Sequence, residues 1–131
     1  MDSLSPNPAA RPALDEAAPL LDQAHLDAQT FGDTALAREV LSLFEDQCRR
    51  LMPPLSEESR PAQERADLAH TLKGAALGVG AMRVAAASAA VETGLRTGTE
   101  TPLPALGQAV AETCALVTET CAILAGIEPA G

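Results

Sequence analysis

Two carboxylate–imidazole pairs stand at helical spacing in this chain, Asp22-x-x-His25 and Asp67-x-x-His70, and they contain its two histidines. An imidazole can accept a phosphoryl group because at neutral pH an appreciable fraction is unprotonated, leaving a ring nitrogen that is nucleophilic without an added base. The surroundings of His70 suit that chemistry. In the run RADLAHTLKGAALGVGA, laid out at about 100° per residue, Leu68, Leu72, Ala75 and Val79 gather on one side as the expected core stripe. His70 falls roughly 200° from Leu68, grouped with Lys73, Gly74 and Leu77, so it is expected to face solvent. Lys73, three residues on, can bring its charge to the same point in space and neutralise phosphoryl oxygens. Gly74 sits in a helix interior, where glycine costs about 1 kcal/mol relative to alanine, which implies that something needs the space beside the imidazole. Leu77 adds an apolar group to a face that should be polar. Gly74 and Leu77, with Ala66 and Asp67, are the expected docking positions for a partner.

Each of these residues has a plainer explanation. A lone exposed histidine or lysine on a helix is ordinarily a solvated surface residue, and a single exposed leucine is ordinary too; the grouping is what carries weight. The i, i+3 carboxylate and imidazole spacing also occurs in di-metal carboxylate bundles, which would make the chain an oxidoreductase. Such sites need two further glutamates projecting inward, whereas His70 projects away from its core stripe. His25 lies near the Leu21 and Ala28 side of a short segment without a nearby Lys or Gly, so capping or packing is its expected role. No GxxxxGK or GxGxxG occurs, so self-phosphorylation from ATP is not expected.

The elements that must position His70 are helices. Residues 1–19 contain Pro6, Pro8, Pro12 and Pro19, a composition that resists helix and strand and predicts a tail. A short helix is expected from Leu20 to about Thr30, with Gly32 as a stop and Asp33 as the next cap. Leu36, Val40, Leu43, Phe44, Gln47 and Leu51 then form one stripe opposite Arg38, Glu45 and Arg49, until Pro53 and Pro54 end or kink the helix. SEESRPAQER places Pro61 in the first turn of the His70 helix, which runs to about Val79. A fourth helix, Ala81 to Arg96, shows Val84, Ser88, Val91 and Leu95 on one side, with Gly94 and Gly98 loosening its exit. After TGTETPLP, a long helix from Leu103 to about Ile127 carries Leu106, Val110, Thr113, Val117, Cys121 and Leu124 at heptad-like spacing. No segment alternates as a strand does. The expected fold is all-α, an up-and-down antiparallel four-helix bundle over residues 20–127 with a short extra N-terminal helix, between tails at 1–19 and 128–131.

Composition agrees. The chain has 131 residues, 47% of them hydrophobic, but only two are aromatic, so the core must be built from Leu, Val, Met and many Ala, which favours helices over sheets. A formal charge of −9 argues against nucleic acid or an anionic membrane surface as partner. No transmembrane or signal-like stretch is seen, and a cytoplasmic monomer is expected. Cys48, Cys114 and Cys121 lack CxxC spacing and read as small hydrophobes.

The run His70-Thr71-Leu72-Lys73-Gly74-Ala75-Ala76, followed by Gly80-Ala81, resembles the signature of the histidine-containing phosphotransfer (HPt) domains of bacterial two-component phosphorelays. The opening LDQAHLDAQTFGD, the LFEDQCRRL helix before the motif and the AAASAAVE helix after it are similar to that family's order, so the resemblance covers about residues 20 to 126. It implies that His70 is the phosphorylated residue and that Lys73 and Gly74 match the lysine and glycine that follow it. The chain departs at Ala75 and Leu77, where many members carry Ser and a small or polar residue. The implied function is a phosphocarrier, not an enzyme in its own right. It would accept a phosphoryl group from a receiver-domain aspartate and pass it to another receiver, with no cofactor of its own and Mg2+ supplied by the receiver. An adaptor that has lost transfer would not be expected to keep both His70 and Lys73.

Overall fold

A computed structural model describes residues 18–126, and among them all regular structure is helical. The short α1 spans Gln23–Gln29, followed by α2 (Thr34–Leu55), α3 (Ala62–Val79), α4 (Met82–Thr97) and α5 (Leu103–Leu124). Local signals set most of the ends. Asp22 and Asp33 cap α1 and α2, their carboxylates accepting from the backbone N–H of His25 and Leu36 at 3.1 and 3.0 Å, which satisfies donors that the first turn leaves free. α3 ends at Gly80, whose φ of +84° is left-handed, a conformation that costs glycine little.

Four of these helices close a ring: α3 packs on α2 and α4, and α5 completes it against α2 and α4. Each presents its apolar side to the same interior, with Leu41, Phe44 and Cys48 of α2, Leu72 and Ala76 of α3, Val84 and Val91 of α4, and Leu106 and Val117 of α5 buried together. The small residues Ala66, Ala69, Ala85, Ala87 and Ser88 line α3 and α4, letting those two backbones approach closely. α1 packs across the C-terminal end of α3, where the Asp22 N–H donates to the Gly80 carbonyl at 2.8 Å. The molecule is a four-helix bundle with an extra N-terminal helix.

Several expectations shift in detail. Pro53 and Pro54 do not end α2, which continues to Leu55 with both prolines inside its last turn; the buried Arg65 side chain donates to the Leu55 carbonyl at 2.8 Å and holds that terminus. Leu43 does not join the core stripe and is 58% exposed. In α3 the fully buried line is Arg65, Ala66, Ala69, Leu72, Ala76 and Val79, while Leu68 and Ala75 lie half-buried at its edges. The stripe is rotated because α3 is clasped by α2 and α4 together, and the buried arc of a helix between two neighbours is wider than a single apolar seam. Gly94 does not loosen an exit: it is buried, and a β-carbon there would lie 2.6 Å from the Glu100 carbonyl oxygen, so the loop after α4 closes onto it. α5 stops at Leu124, and Ile127 lies outside the described residues, as do the expected tail up to residue 17 and the one at 128–131. Ala18 and Pro19, placed in the tail by sequence, are tied to α4: their carbonyls accept from Arg83 Nε at 3.0 Å and the Arg83 N–H at 3.2 Å.

Candidate functional site

His70 projects from the middle of α3 with 63% of its side chain exposed. On the neighbouring α4, Glu92 is only 15% exposed, and its carboxylate oxygens lie 3.3 and 3.2 Å from His70 Nδ1. Arg96, one turn along α4, donates through Nε to Glu92 at 3.0 Å and through Nη2 to Asp67 at 3.0 Å. Lys73 Nζ stands 3.8 Å from Glu92. His70 and Lys73 therefore share one carboxylate, and an arginine pins that carboxylate from behind.

Partial burial disfavours charge on Glu92, but the hydrogen bonds from Arg96 and His70 outweigh it and hold the carboxyl below its ordinary value. An ionised carboxylate has only acceptors, so the His70 nitrogen facing it is the one that carries hydrogen. In the neutral ring this leaves Nε2 unprotonated, on the side away from Glu92. The contact with Glu92 thus favours, in the neutral ring, the tautomer with hydrogen on Nδ1.

Of the residues singled out by sequence, Gly74 and Leu77 are exposed on the His70 face, and a β-carbon at Gly74 would meet nothing within 4 Å. Glycine there leaves open space and is not required by helix packing. Asp67 lies on the same side, bound to Arg96. Ala66 does not: it is wholly buried and cannot form part of a docking surface, since the rotated stripe of α3 turns it into the core. Beside Gly74 a groove of about 370 Å³ runs between α2 and α3, lined by Val40, Leu43, Phe44, Gln47, Thr71, Gly74, Ala75 and Val79. Leu43 on α2 and Leu77 on α3, 58% and 45% exposed, extend the apolar character of this face.

Glu92 and Arg96 were not legible as site residues. The available signal was a Glu–Arg pair four residues apart in a helix whose only other charged residue is Arg83, but helix spacing cannot say which neighbour such a pair meets. The remaining carboxylate–imidazole pair has a local role: Asp22 caps α1 through the backbone of His25, whose ring stands at Gly80. Among the described residues no three His, Cys, Asp or Glu side chains gather as a metal site would require, and no helix is long and apolar enough to cross a membrane.

No curated protein and no solved structure matches the chain. The model of one family does match, over residues 13–120, and that family is described as the Hpt domain. The match spans most of the chain and contains the whole His70 site, so the protein belongs to the Hpt domain family, the helical-bundle phosphocarriers that serve histidine phosphotransfer in phosphorelays and interact with receiver domains.

Proposed function

We propose that His70 accepts a phosphoryl group on Nε2 from the phospho-aspartate of one receiver domain and hands it to the aspartate of another. The observation that carries this is the pairing of an exposed imidazole with a part-buried, arginine-anchored carboxylate at Nδ1. In the forward step the Nε2 lone pair forms the N–P bond as the acyl phosphate O–P bond breaks, and the bonding electrons leave on the aspartate oxygen. The reverse step returns the group to a carboxylate. The transition state is loose, so positioning and charge neutralisation supply most of the catalysis. Glu92 orients the ring and stabilises the charge that develops on it at Nδ1–H. Lys73, only weakly held by Glu92 at 3.8 Å, is free to swing toward the phosphoryl oxygens. The receiver brings the acidic pocket and the Mg2+ ion; this chain contributes the nucleophile and its orientation. Gly74, Leu77 and the groove beside them form the surface on which the receiver docks, with Asp67 at its edge. The working unit is a monomer of residues 20–127 in the cytoplasm.

Labelling from a phosphorylated receiver tests the assignment. His70→Ala and His70→Gln should abolish label, and His25→Ala should leave it unchanged. The bond formed should be labile in acid and stable in base, as a phosphoramidate is and an acyl phosphate is not. Label retained by both His70 variants would refute the assignment.

A further inference from the structure

Once a phosphoryl group sits on Nε2, Nδ1 is the only ring nitrogen of His70 left to titrate, and the two Glu92 oxygens lie 3.2 and 3.3 Å from it. Among the described residues the charged groups gathered at the ring are Glu92 and Arg96 of α4 and Lys73 and Asp67 of α3. Two carboxylates and two cations cancel overall, so proximity decides. Only Glu92 reaches Nδ1: Arg96 is taken up by Glu92 and Asp67, at 3.0 Å each, and Lys73 Nζ approaches the same Glu92 carboxylate at 3.8 Å. Burial works against charge on Glu92, yet Arg96 and His70 hold its pKa down, so the acceptor is ionised at neutral pH. A carboxylate in that form only accepts hydrogen bonds. It holds an Nδ1–H and repels a bare Nδ1 lone pair.

We propose that Glu92 keeps phospho-His70 protonated at Nδ1 into the mildly alkaline range, so that the ring departs from phosphorus as a neutral imidazole; the proposal rests on His70 being the residue that carries the group. In the outgoing step the N–P bond of the protonated phosphoimidazole breaks and its electron pair stays on Nε2. The phosphoryl group joins an oxygen of the incoming carboxylate, or of water, whose proton then passes to solvent. What leaves is the neutral ring with hydrogen on Nδ1, the same form that accepts the next phosphoryl group. No proton has to enter or leave the ring between loading and discharge. A ring without the Nδ1 proton would instead leave as an imidazolide anion, a far poorer leaving group. An amide in place of Glu92 would not hold the proton, because it can turn its oxygen toward Nδ1–H or its NH2 toward a bare Nδ1. The carboxylate therefore makes phospho-His70 a readily discharged intermediate across a range of pH, at the cost of a shorter lifetime in water.

The test loads the full chain with phosphoramidate, a small phosphoryl donor that needs no receiver, maps the label, and follows its loss to water from mildly acidic to mildly alkaline pH. The folded native chain should hold its neutral-pH rate of loss further into alkali than Glu92→Gln, or than the same labelled chain unfolded in urea, by about half a pH unit. On that alkaline shoulder Glu92→Gln should lose label roughly threefold more slowly, the size expected of one charge-assisted hydrogen bond discounted for exposure. Nitrogen-15 NMR of the labelled proteins should find hydrogen on Nδ1 of the native chain at pH values where Glu92→Gln has lost it. Far-UV circular dichroism establishes that the variant is folded. A native chain that takes no label on His70 would remove the phosphocarrier reading and the proposal with it. Label on His70 that is lost with one and the same pH profile in native chain and Glu92→Gln, or an Nδ1 that gives up its hydrogen at the same pH in both, would overturn the proposal alone and leave His70 as the carrier.

Discussion

Removing the Glu92 carboxylate should separate the reactivity of His70 from the stability of the bundle. Glu92→Ala deletes the acceptor for His70 Nδ1–H at 3.2 Å, the Arg96 Nε contact at 3.0 Å and the longer Lys73 contact. His70 and Arg96 are 63% and 34% exposed, so water replaces most of what is lost, and screened contacts of this kind are worth about 0.5–1 kcal/mol each at most. Arg96 keeps its bond to Asp67. The net loss of about 1 kcal/mol should lower Tm by roughly 3–5 °C in a domain of this size without changing the circular dichroism spectrum at 25 °C. Transfer should suffer more. A hydrogen bond to a charged group contributes about 1.5–3 kcal/mol when fully realised, and discounting for exposure to about 1.4 kcal/mol gives roughly a tenfold fall in rate. Glu92→Gln retains a carbonyl acceptor and should lose about threefold, on the scale of 0.7 kcal/mol. The assay is single-turnover transfer from a phosphorylated receiver, paired with nitrogen-15 NMR of the His70 ring to read its tautomer. Since Glu92 is held below its ordinary pKa, its contribution is complete above the ordinary carboxylate range and is lost only as pH falls through the depressed value, so Glu92 should remain an ionised acceptor for Nδ1–H throughout neutral and mildly acidic conditions. A Glu92→Ala protein that transfers at the wild-type rate with an unchanged tautomer would refute the orienting role.

Other outcomes follow from the same geometry. Lys73→Ala should slow transfer or shorten the lifetime of phospho-His70, while urea titration shows a stability change within about 0.5 kcal/mol, since its 3.8 Å contact to Glu92 is weak. Gly74→Ala should stabilise α3 by up to about 1 kcal/mol, because its β-carbon meets nothing, and Gly74→Leu should obstruct the receiver, so that transfer falls with side-chain size while Tm does not; a wild-type rate in Gly74→Leu would remove the close-approach argument. Gly94→Ala should do the opposite, costing about 1–3 kcal/mol by thermal unfolding, because its β-carbon would strike the Glu100 carbonyl. Deleting residues 1–17 should leave folding and transfer intact, whereas extending the deletion through Pro19 also removes the acceptors for Arg83 and should lower Tm measurably.

What the sequence determined by itself was whatever depends on near neighbours along the chain. Helix ends were legible at Asp33 and Gly80 because a cap acts within three or four residues, whereas the first helix, expected from Leu20, starts only after its cap Asp22. The exposure of His70 and its grouping with Lys73 and Gly74 followed from the pitch of one helix. Ala66 was misplaced because an alanine is as compatible with a surface as with a core, and only the simultaneous packing of α3 against α2 and α4 buries it. Leu43 was misplaced for the mirror reason: its stripe is real, but α2 meets its neighbours along Ala37, Leu41, Phe44 and Cys48, leaving Leu43 at the mouth of the groove. Glu92, 22 residues from His70 in the chain, becomes its partner through the crossing of α3 and α4. Periodicity specifies which way a side chain points from its own helix axis, whereas the side chain it then meets depends on rotation and sliding between helices, which the packing of the whole core decides.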